Sequence, residues 1–283
     1  MSTATAGSTR ARIAMLHFYP VKSAGGLELE QALLTTAGFV DDRRWMVVTP
    51  SGRFLTQREL PRLALLRPTL SATALQITAR GRLAISVPLA WQGRRCSVQV
   101  WKDQCDAFDE GDESARVLSE FLEVECRLVR FDPARRRPAD PAWTGGVAAE
   151  ARFADAFPLL ALNAASLEDL NDRLSVRLPA NRFRPNIVLE GLGPYDEDRI
   201  DELAAGGVRL RLVKPCTRCR ITTTNQDNGE VEGEEPLRTL RTYRYDAGLH
   251  GLSFGHNAIV VEGAGATLRR GQTLTVRWRE PSA

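Results

Sequence analysis

Short stretches of β-branched and aromatic residues, each bounded by turn residues, recur along the whole chain. Short segments of this composition predict strands and do not predict long helices. The pattern therefore restricts the chain to a β-dominated fold. The predicted strands are RIAMLHFY at 12–19, then 44–49, 53–57, 73–78, 83–87, 96–101, 182–190 and 208–213, followed by HNAIVV at 256–261 and TLTVRW at 273–278.

Two helical patterns interrupt the strands. A helix is predicted over 113–123, with Asp112 as its N-cap and one apolar face that includes Val117, Leu118 and Leu122. The second helix is AASLEDLNDRL, where Ser166 precedes Asp169 by three residues in the manner of a capping box. Because the N-terminus of a helix attracts anions, Ser166 also marks a candidate anion contact.

The segment DPARRRPADPAWTGG, at 132–146, breaks every regular period with prolines, paired glycines and a run of arginines. It is the best linker candidate of the chain. A length of 283 residues with 43% hydrophobic content is enough for one or two cores. We therefore predict an α+β, β-dominated protein made of two β-barrel-like units with a few helices, a first domain at 11–131 and a second at 147–279.

Charge and composition indicate which partners to expect. A formal charge of +3, from 38 basic and 35 acidic side chains, does not indicate a nucleic-acid partner. No apolar stretch reaches the roughly 18 to 20 residues of a membrane span. The opening MSTATAGSTR is expected to be a loose terminus, not a targeting helix. Five cysteines without a secretory signal indicate a reducing, cytoplasmic location.

The segment KPCTRCRITTTN, at 214–225, places Cys216 and Cys219 three positions apart among Lys214, Arg218 and Arg220. Neighbouring cations favour an ionised thiol, and a soft thiolate suits a polarisable metal carried on an anionic cofactor. Three other interpretations stay open. A structural zinc site needs four ligands where the pair offers two, a redox pair lacks its usual βαβ setting, and both cysteines can be plain structural residues.

A second candidate site is YPVKSAGG, at 19–26, where Lys22 and Ser23 precede a pair of glycines. Such a flexible turn, rich in hydrogen-bond donors, is suited to binding a phosphate. The alternative is a solvated lysine in an ordinary turn.

Four segments together carry a family resemblance: YPVKS at 19–23, DDRRW at 41–45, NRFRPNIV at 181–188 and PCTRCRITTTNQDNG at 215–229. In this order and spacing they resemble the molybdenum cofactor sulfurase C-terminal (MOSC) domain family, specifically its members with an N-terminal β-barrel domain, which include the amidoxime-reducing components. The resemblance covers residues 11–279. One departure is Asn225, where relatives typically have an aspartate; Asp227 follows two residues later.

The resemblance implies a molybdenum cofactor, a molybdopterin that carries the metal, bound between the two units. Cys219 corresponds to the protein ligand of molybdenum and the catalytic residue, with Cys216 as a neighbour. The other implied contacts are Lys22, Ser23 and Arg43 to the pterin phosphate, Arg184, Asn186, Thr217 and Arg218 to the pterin, and the helix start near Ser166 to the phosphate. Structural alternatives remain for Arg43, as an ion-pair partner of Asp41 or Asp42, for Arg184, as a surface residue, and for Asn186, as a turn capper.

The implied activity is an oxidoreductase that reduces N-hydroxylated small molecules, converting N–OH to N–H with loss of water. The chain has no plant-type ferredoxin cysteine spacing, and GAGATL at 263–268 lacks the third glycine of a nucleotide fingerprint. An external electron donor is therefore expected: a flavoprotein, a ferredoxin-like protein or a haem carrier. Two alternatives are a molybdopterin or sulfur carrier without turnover, and a metal-free thiol protein in which Lys22, Arg43 and Arg184 matter little.

Overall fold

The computed structural model of the protein describes residues 9–79, 83–90 and 93–280 of the 283-residue chain. Most of the predicted loose N-terminus, residues 1–8, lies outside the described residues. The first half forms strands β1 Arg10–Phe18, β2 Leu27–Leu29, β3 Gln31–Thr35, β4 Gly38–Phe39, β5 Trp45–Val48, β6 Arg67–Leu70, β7 Ala74–Ala79, β8 Leu83–Pro88, β9 Arg95–Val100, β10 Asp103–Asp109 and β11 Arg127–Phe131. Helix α1 spans Asp112–Leu122, and a 3-10 helix spans Pro61–Leu65.

The second half continues the strand-rich pattern. Its strands are β12 Leu159–Asn163, β13 Ile187–Glu190, β14 Ile200–Ala205, β15 Val208–Thr217, β16 Tyr245–Asp246, β17 Gly251–Glu262, β18 Thr267–Arg269 and β19 Thr273–Trp278. Its helices are α2 Pro141–Thr144, α3 Ala164–Asp172 and α4 Leu237–Arg241, with 3-10 helices at Ala180–Arg182, Asp196–Asp198 and Arg220–Thr223. The predicted α+β, β-dominated class is confirmed.

Seven strands close into a barrel in the order β12, β13, β1, β19, β14, β15 and β17, with β17 pairing back to β12. All the pairings are antiparallel except β12 with β13. Alternating apolar side chains point inward because successive residues of a strand face opposite sides of the sheet. The barrel core is fully buried and includes Ile13, Leu16, Leu189, Leu203 and Ala258.

Strand β1 comes from the start of the chain and lies in the barrel between β13 and β19. Strand β3 likewise pairs with β18, and β2 extends the barrel sheet beside β1. The chain thus contributes its first strands to the second-half barrel before it enters the first-half sheets. The domain boundaries at 131 and 147 remain predictions. The strand pairings of β1 and β3 with second-half strands cross these boundaries.

The rest of the first half packs a four-stranded sheet, ordered β5, β11, β10 and β9, near a three-stranded sheet of β6, β7 and β8. Helix α1 contributes its apolar face to a core shared with both sheets, as the 3.6-residue period predicts. Trp45, Leu75, Val117, Leu118 and Leu128 are among the buried members of that core.

Two predicted strands are wrong in whole or in part. In the 53–57 segment, Arg53 and Phe54 form only isolated bridges. The segment 182–186 forms the end of a 3-10 helix and a turn, and the strand begins only at Ile187. Arg184 there has φ 56°, which a strand does not accommodate.

Both predicted helix caps are also wrong. Helix α1 is preceded by Gly111 at φ 95°, and Asp112 instead pairs with Arg127 at 2.7 Å. Helix α3 is capped by Asn163, whose side chain accepts a hydrogen bond from the backbone NH of Ala165. Ser166 lies inside the first turn. In each case a residue slightly earlier in the chain takes the cap position, which the local sequence leaves ambiguous.

The proline-rich segment 132–146 contains α2 and is anchored by Arg137, which is 8% exposed. The Arg137 guanidinium donates to the carbonyl oxygens of Arg152, Ala154 and Asp155 and pairs with Asp103. The segment is therefore fixed against residues 152–155. Among the described residues, none of the helices combines the length and apolar character needed to cross a bilayer.

Candidate functional site

A cavity of about 140 Å³ lies where residues of the first half meet the end of β15 and the turn before β13. The first half contributes the loops after β1 and before β5. The residues that line the cavity are Lys22, Ser23, Arg43, Thr56, Ala154, Asp155, Ala156, Phe157, Leu159, Leu160, Phe183, Arg184, Asn186, Cys216, Thr217, Arg218, Cys219, Ile221, Thr222 and Asn257. The loops meet because β1 and β13 are paired neighbours in the barrel.

Eight of the nine sequence-predicted site residues line this cavity, although they lie up to about 200 positions apart in the chain. The eight are Lys22, Ser23, Arg43, Arg184, Asn186, Thr217, Arg218 and Cys219. The ninth, Ser166, lies elsewhere: its buried hydroxyl donates to Glu197 at 2.7 Å and accepts from the backbone NH of Tyr195 at 2.7 Å. Ser166 is absent from the cavity lining, and the contact from the helix start near it stays a prediction.

Lys22 is 5% exposed, and its ammonium group is held by two partners. It donates to the Phe153 carbonyl at 2.8 Å and to the Asp155 carboxylate at 2.5 Å. Burial lowers the pKa of Lys22, and the Asp155 charge opposes that effect. For Asp155, burial would raise the pKa, but the Lys22 charge and hydrogen bond outweigh it and lower the pKa. The two groups form a buried ion pair in the cavity wall, in which the Asp155 carboxylate balances the Lys22 ammonium.

Arg43 and Arg184 both stack on the ring of Tyr19, with guanidinium carbons 4.3 and 4.4 Å from its centroid. Arg43 pairs with Asp42, as one of the open alternatives proposed, and also donates to Asn186 Oδ1 at 3.0 Å. Burial raises the pKa of Tyr19 to about 12, so its hydroxyl stays neutral. Two cations are thus held on one aromatic ring, with one carboxylate as counter-charge.

Asn186 is 1% exposed and hydrogen-bonds several groups around Arg43. Its side-chain amide donates to the His17 carbonyl and to Asp42, each at 3.3 Å. Its Oδ1 also accepts from the backbone NH of Leu160 at 3.2 Å. Asn186 therefore acts in this structure as a crosslink that positions Arg43 beside the cavity, and turn capping does not describe it.

Two guanidinium nitrogens of the cavity wall are buried without a hydrogen-bond partner among the described residues: Arg184 Nη2 and Arg218 Nε. Each side chain also makes a hydrogen bond to a backbone carbonyl. Arg184 donates to the Ala24 carbonyl at 2.6 Å and Arg218 to the Phe183 carbonyl at 2.6 Å. Burial lowers the pKa of Arg184 to about 10, which still leaves it charged at neutral pH. Buried donors without partners are costly, so the wall is built for a ligand rich in acceptors and negative charge.

Three of the predicted cofactor residues adopt left-handed backbone conformations: Ser23 at φ 64°, Arg43 at φ 47° and Arg184 at φ 56°. For residues other than glycine such conformations cost about 1 to 3 kcal/mol each and cluster at functional sites. All three residues line the one cavity. Their backbone conformations are an observation separate from the charges, and both point to this cavity as the functional site.

The two cysteines of the CTRC segment differ in their surroundings. Arg218 donates to Cys216 Sγ at 2.9 Å, while Arg58 donates to Cys219 Sγ at 3.5 Å. Burial raises the pKa of the Cys216 thiol against the opposing charge of Arg218. All five cysteines are free. In the part of the chain that the structure describes, no three His, Cys, Asp or Glu side chains cluster so as to hold a metal ion.

Sequence reasoning missed three contributors. Asp155 pairs with Lys22, Arg58 contacts Cys219, and Trp101 donates from Nε1 to Asp155 at 3.2 Å. Asp42, which the sequence offered only as a partner of Arg43, also accepts a hydrogen bond from Asn186. Asn225 and Asp227 do not line the cavity; Asn225 Oδ1 accepts from the Asp227 backbone NH in a turn.

Comparison with protein-family models identifies two successive domains in the chain. Residues 10–125 match the MOSC N-terminal beta barrel domain, and residues 148–275 match the MOSC domain. The seven residues from 214 to 220 that carry the cysteine pair fall in the second match.

Several similar proteins are named as amidoxime-reducing components. The chain is 37% identical to mitochondrial amidoxime-reducing component 1 of Mus musculus, over 82% of this chain and 71% of that protein. It is 36% identical to the Homo sapiens protein of that name, over 82% and 72% of the two chains. Amidoxime reducing component 2 of Bos taurus is 32% identical over 82% and 72%.

Two solved structures match part of the chain with low TM-scores. A solution structure of a Bordetella bronchiseptica protein is 26% identical, covers 36% of this chain and 86% of its own, and has a TM-score of 0.30. The crystal structure of YiiM from Geobacillus stearothermophilus is 16% identical, covers 42% and 54%, and has a TM-score of 0.31.

Proposed function

The chain belongs to the MOSC domain family, in the form that carries the N-terminal β-barrel domain, and is homologous to the mitochondrial amidoxime-reducing components; from that premise we propose that it is a molybdenum-cofactor-dependent oxidoreductase that reduces N-hydroxylated compounds.

The observation that carries the proposal is the wall of buried cations around a thiol. Arg184 and Arg218 present nitrogens without partners in the described structure, Lys22 is fixed by Asp155, and Cys219 lies in the same lining. A molybdopterin has the matching chemistry: an anionic phosphate, a pterin ring with acceptor atoms, and a metal that takes a soft thiolate ligand. The residues present therefore fit this cofactor.

The roles of the residues follow from their chemistry. Lys22, Ser23 and Arg43 would hold the phosphate, Arg184, Arg218 and Thr217 would hold the pterin, and Asn186 keeps Arg43 in place. Charge-assisted hydrogen bonds of this kind contribute about 1.5 to 3 kcal/mol each. Cys219 Sγ would ligate molybdenum, and Arg58 contacts this sulfur in the cavity.

The proposed overall reaction is R–NH–OH + 2 e⁻ + 2 H⁺ → R–NH₂ + H₂O, in which the N–O bond breaks and new N–H and O–H bonds form. Molybdenum supplies two-electron chemistry when bound. The chain's own residues bind the cofactor and orient the substrate beside Cys219. The electrons come from a separate redox protein, such as a flavoprotein, a ferredoxin-like protein or a haem carrier.

The proposal includes a cytoplasmic location, supported by five cysteines that are all free. The named relatives are mitochondrial proteins. Subcellular fractionation therefore tests the proposed cytoplasmic location. No nucleic-acid partner is part of the proposal.

The test is to measure molybdenum by mass spectrometry and oxidised pterin by fluorescence on protein expressed in a host that makes the cofactor. Cys219→Ala is compared with Cys216→Ala as the matched control. We expect stoichiometric metal and pterin in the wild-type protein and in Cys216→Ala, with metal lost or spectrally altered in Cys219→Ala. Reduction of benzamidoxime by reduced methyl viologen is then assayed.

Absence of molybdenum from the wild-type protein contradicts the proposal. Stoichiometric molybdenum and pterin without any turnover of N-hydroxylated compounds would instead favour the carrier alternative.

A further inference from the structure

Trp101 has an unusual place in the first-half sheet. It begins the two-residue turn between β9 and β10, where Val100 pairs with Asp103. Such turns favour glycine, asparagine or aspartate because their backbone needs positive φ. Here a tryptophan adopts φ 56° and leaves its side chain 46% exposed. A bulky aromatic in that conformation is an outlier, so the position favours a specific use of the ring.

The Trp101 ring is connected to the candidate cofactor site by two independent contacts. Its Nε1 donates to Asp155, which pairs with Lys22 at 2.5 Å. The guanidinium of Arg58 lies 4.5 Å from the ring centroid and also donates to Cys219 Sγ. The ring therefore lies one side chain away from the thiol and one from the buried lysine.

A wide groove of about 910 Å³ runs beside Trp101 and joins the cofactor cavity, with Asp155 and Ala156 lining both. Phe54 contacts Trp101 with ring centroids 5.2 Å apart and extends the aromatic wall. The proline-rich segment adds three apolar residues to the lining: Pro138, Ala139 and Pro141. The rest of the lining is largely charged, so the groove offers aromatic and apolar surface beside polar groups that can orient a small molecule.

Four of the eight charged groups of the groove are paired with each other. Glu59 pairs with Arg53 at 2.8 Å and Asp103 with Arg137 at 2.8 Å. The planar guanidinium of Arg58 stacks on the exposed ring of Trp101. Amidines and amidoximes have the same planar N–C–N unit as a guanidinium, so either can lie flat on the ring in that place. The cationic amidine gains the cation–π attraction, and the neutral amidoxime gains planar stacking.

Resting on the proposed reductase function, we propose that Trp101 is a specificity-determining residue. Its ring takes the planar amidine-type end of the substrate in the position that the Arg58 guanidinium occupies in this structure. The groove takes the remaining, apolar part of the molecule. Arg58 then competes with the substrate for the ring and is displaced from Cys219 when the substrate binds.

The first test measures binding, independent of turnover. Benzamidine, a cation, and benzamidoxime, which is neutral, are titrated by calorimetry into the purified full-length protein. Trp101→Leu is expected to weaken both affinities about tenfold, whereas Trp101→Phe keeps most of each, since a ring remains. Trp278→Leu is the control, because Trp278 also carries a stacked arginine, Arg199 at 5.1 Å. It is expected to bind as wild type.

Arg58→Met separates competition for the ring from a simple charge effect. If Arg58 occupies the substrate's place, both ligands bind more tightly to this variant. A gain for the cation alone would show electrostatic repulsion and would contradict the displacement. Equal affinities in the wild-type protein and Trp101→Leu, with the variant folded by circular dichroism, overturn the assignment of Trp101.

The second test uses the loaded enzyme. Trp101→Leu is expected to raise KM for benzamidoxime about tenfold, with a smaller change in kcat, and to leave KM for hydroxylamine, which has no planar unit, near the wild-type value. If benzamidine binds through Trp101 but no compound is reduced, the reductase proposal fails, while the binding role of Trp101 in the groove is retained. If reduction proceeds with unchanged KM in Trp101→Leu, the specificity proposal alone fails.

Discussion

Tyr19, Arg43 and Arg184 form a tightly coupled group at the scale of single residues. The two guanidinium groups repel each other, yet both lie within 4.4 Å of one ring centroid, with Asp42 beside Arg43. The Tyr19 hydroxyl has no hydrogen-bond partner among the described residues. The ring face, and not the hydroxyl, is therefore what the site uses.

Replacing Tyr19 tests this division. Tyr19→Phe removes a buried hydroxyl without a partner, so the free energy of unfolding should stay the same or rise by about 1 kcal/mol, with pterin content unchanged. Tyr19→Leu removes the stacking ring and should lower both the free energy of unfolding and the pterin content. Chemical denaturation and pterin fluorescence on the two variants provide the comparison. A loss of pterin in Tyr19→Phe would mean that the hydroxyl contacts the cofactor.

Glu197 is a second residue with a testable consequence. It is fully buried between Ser166 and the backbone NH of Asn163, and burial raises its pKa from 4.5 to about 7. The folded protein therefore keeps a proton between pH 4.5 and 7 that the unfolded chain has lost. The contribution of Glu197 to the free energy of unfolding falls as pH rises across this window, by about 1.4 kcal/mol per pH unit, and levels off above it.

Glu197→Gln should remove that slope. Relative to wild type, the variant becomes progressively more stable as pH rises from 5 to 7, which urea unfolding at pH 5, 6, 7 and 8 measures. His17 and His256, whose pKa values burial lowers, contribute in the opposite sense, but equally in both proteins. Glu120→Gln, on an exposed helix face, is the control and should follow wild type. Parallel pH curves for Glu197→Gln and wild type would mean that Glu197 is ionised in the fold.

At the scale of elements, the seam between β12 and β17 closes the barrel. Gly255 in β17 has φ 74°, and a Cβ there would lie 2.9 Å from the Ala161 carbonyl oxygen of β12. Close strand approach and positive φ both require glycine at this point. The seam is close to the cavity because Leu159 and Leu160 of β12 line it.

Gly255→Ala should lower the free energy of unfolding by about 2 to 3 kcal/mol, since it combines backbone strain with a steric clash. Gly206→Ala is the matched control, with φ 54° but no described atom within 4 Å of the added Cβ. Strain alone should cost that variant about 1 kcal/mol. Thermal unfolding of the two proteins measures the difference, and equal losses would mean that the seam relaxes around the methyl group.

At the scale of the whole molecule, the barrel is completed by a strand from the opposite end of the sequence. Strand β1 pairs with β13 on one side and β19 on the other. Without it, the second half has two unpaired strand edges and loses Ile13 and Leu16 from its core. The fold therefore couples both ends of the chain to the site between them.

A fragment of residues 147–280 should accordingly fail to fold alone, while addition of a peptide covering 9–40 should restore native-like circular dichroism and cooperative unfolding. A peptide of the same composition in scrambled order is the control. Cooperative unfolding of the fragment by itself would show that β1 is dispensable for the barrel.

The helix and strand pattern was largely readable because local period and composition determine it. Where it failed, at 53–57 and 182–186 and at both helix caps, backbone turns and long-range contacts override local preference. Eight of the nine predicted site residues line one cavity, and all eight came from the family motifs. Ser166 came from a local capping pattern; it lies outside that lining, and its hydroxyl donates to Glu197.

The sequence by itself determined the β-dominated class, because residue type and period set it. Its family motifs also named the Cys219 thiol and a set of cations as candidates for binding an anionic cofactor. Only the tertiary structure decided that β1 lies between β13 and β19, that Lys22 is held by Asp155, and that Arg58 joins Trp101 to Cys219. Such pairings join residues more than 40 positions apart, and no local pattern encodes them because they depend on how the sheets close.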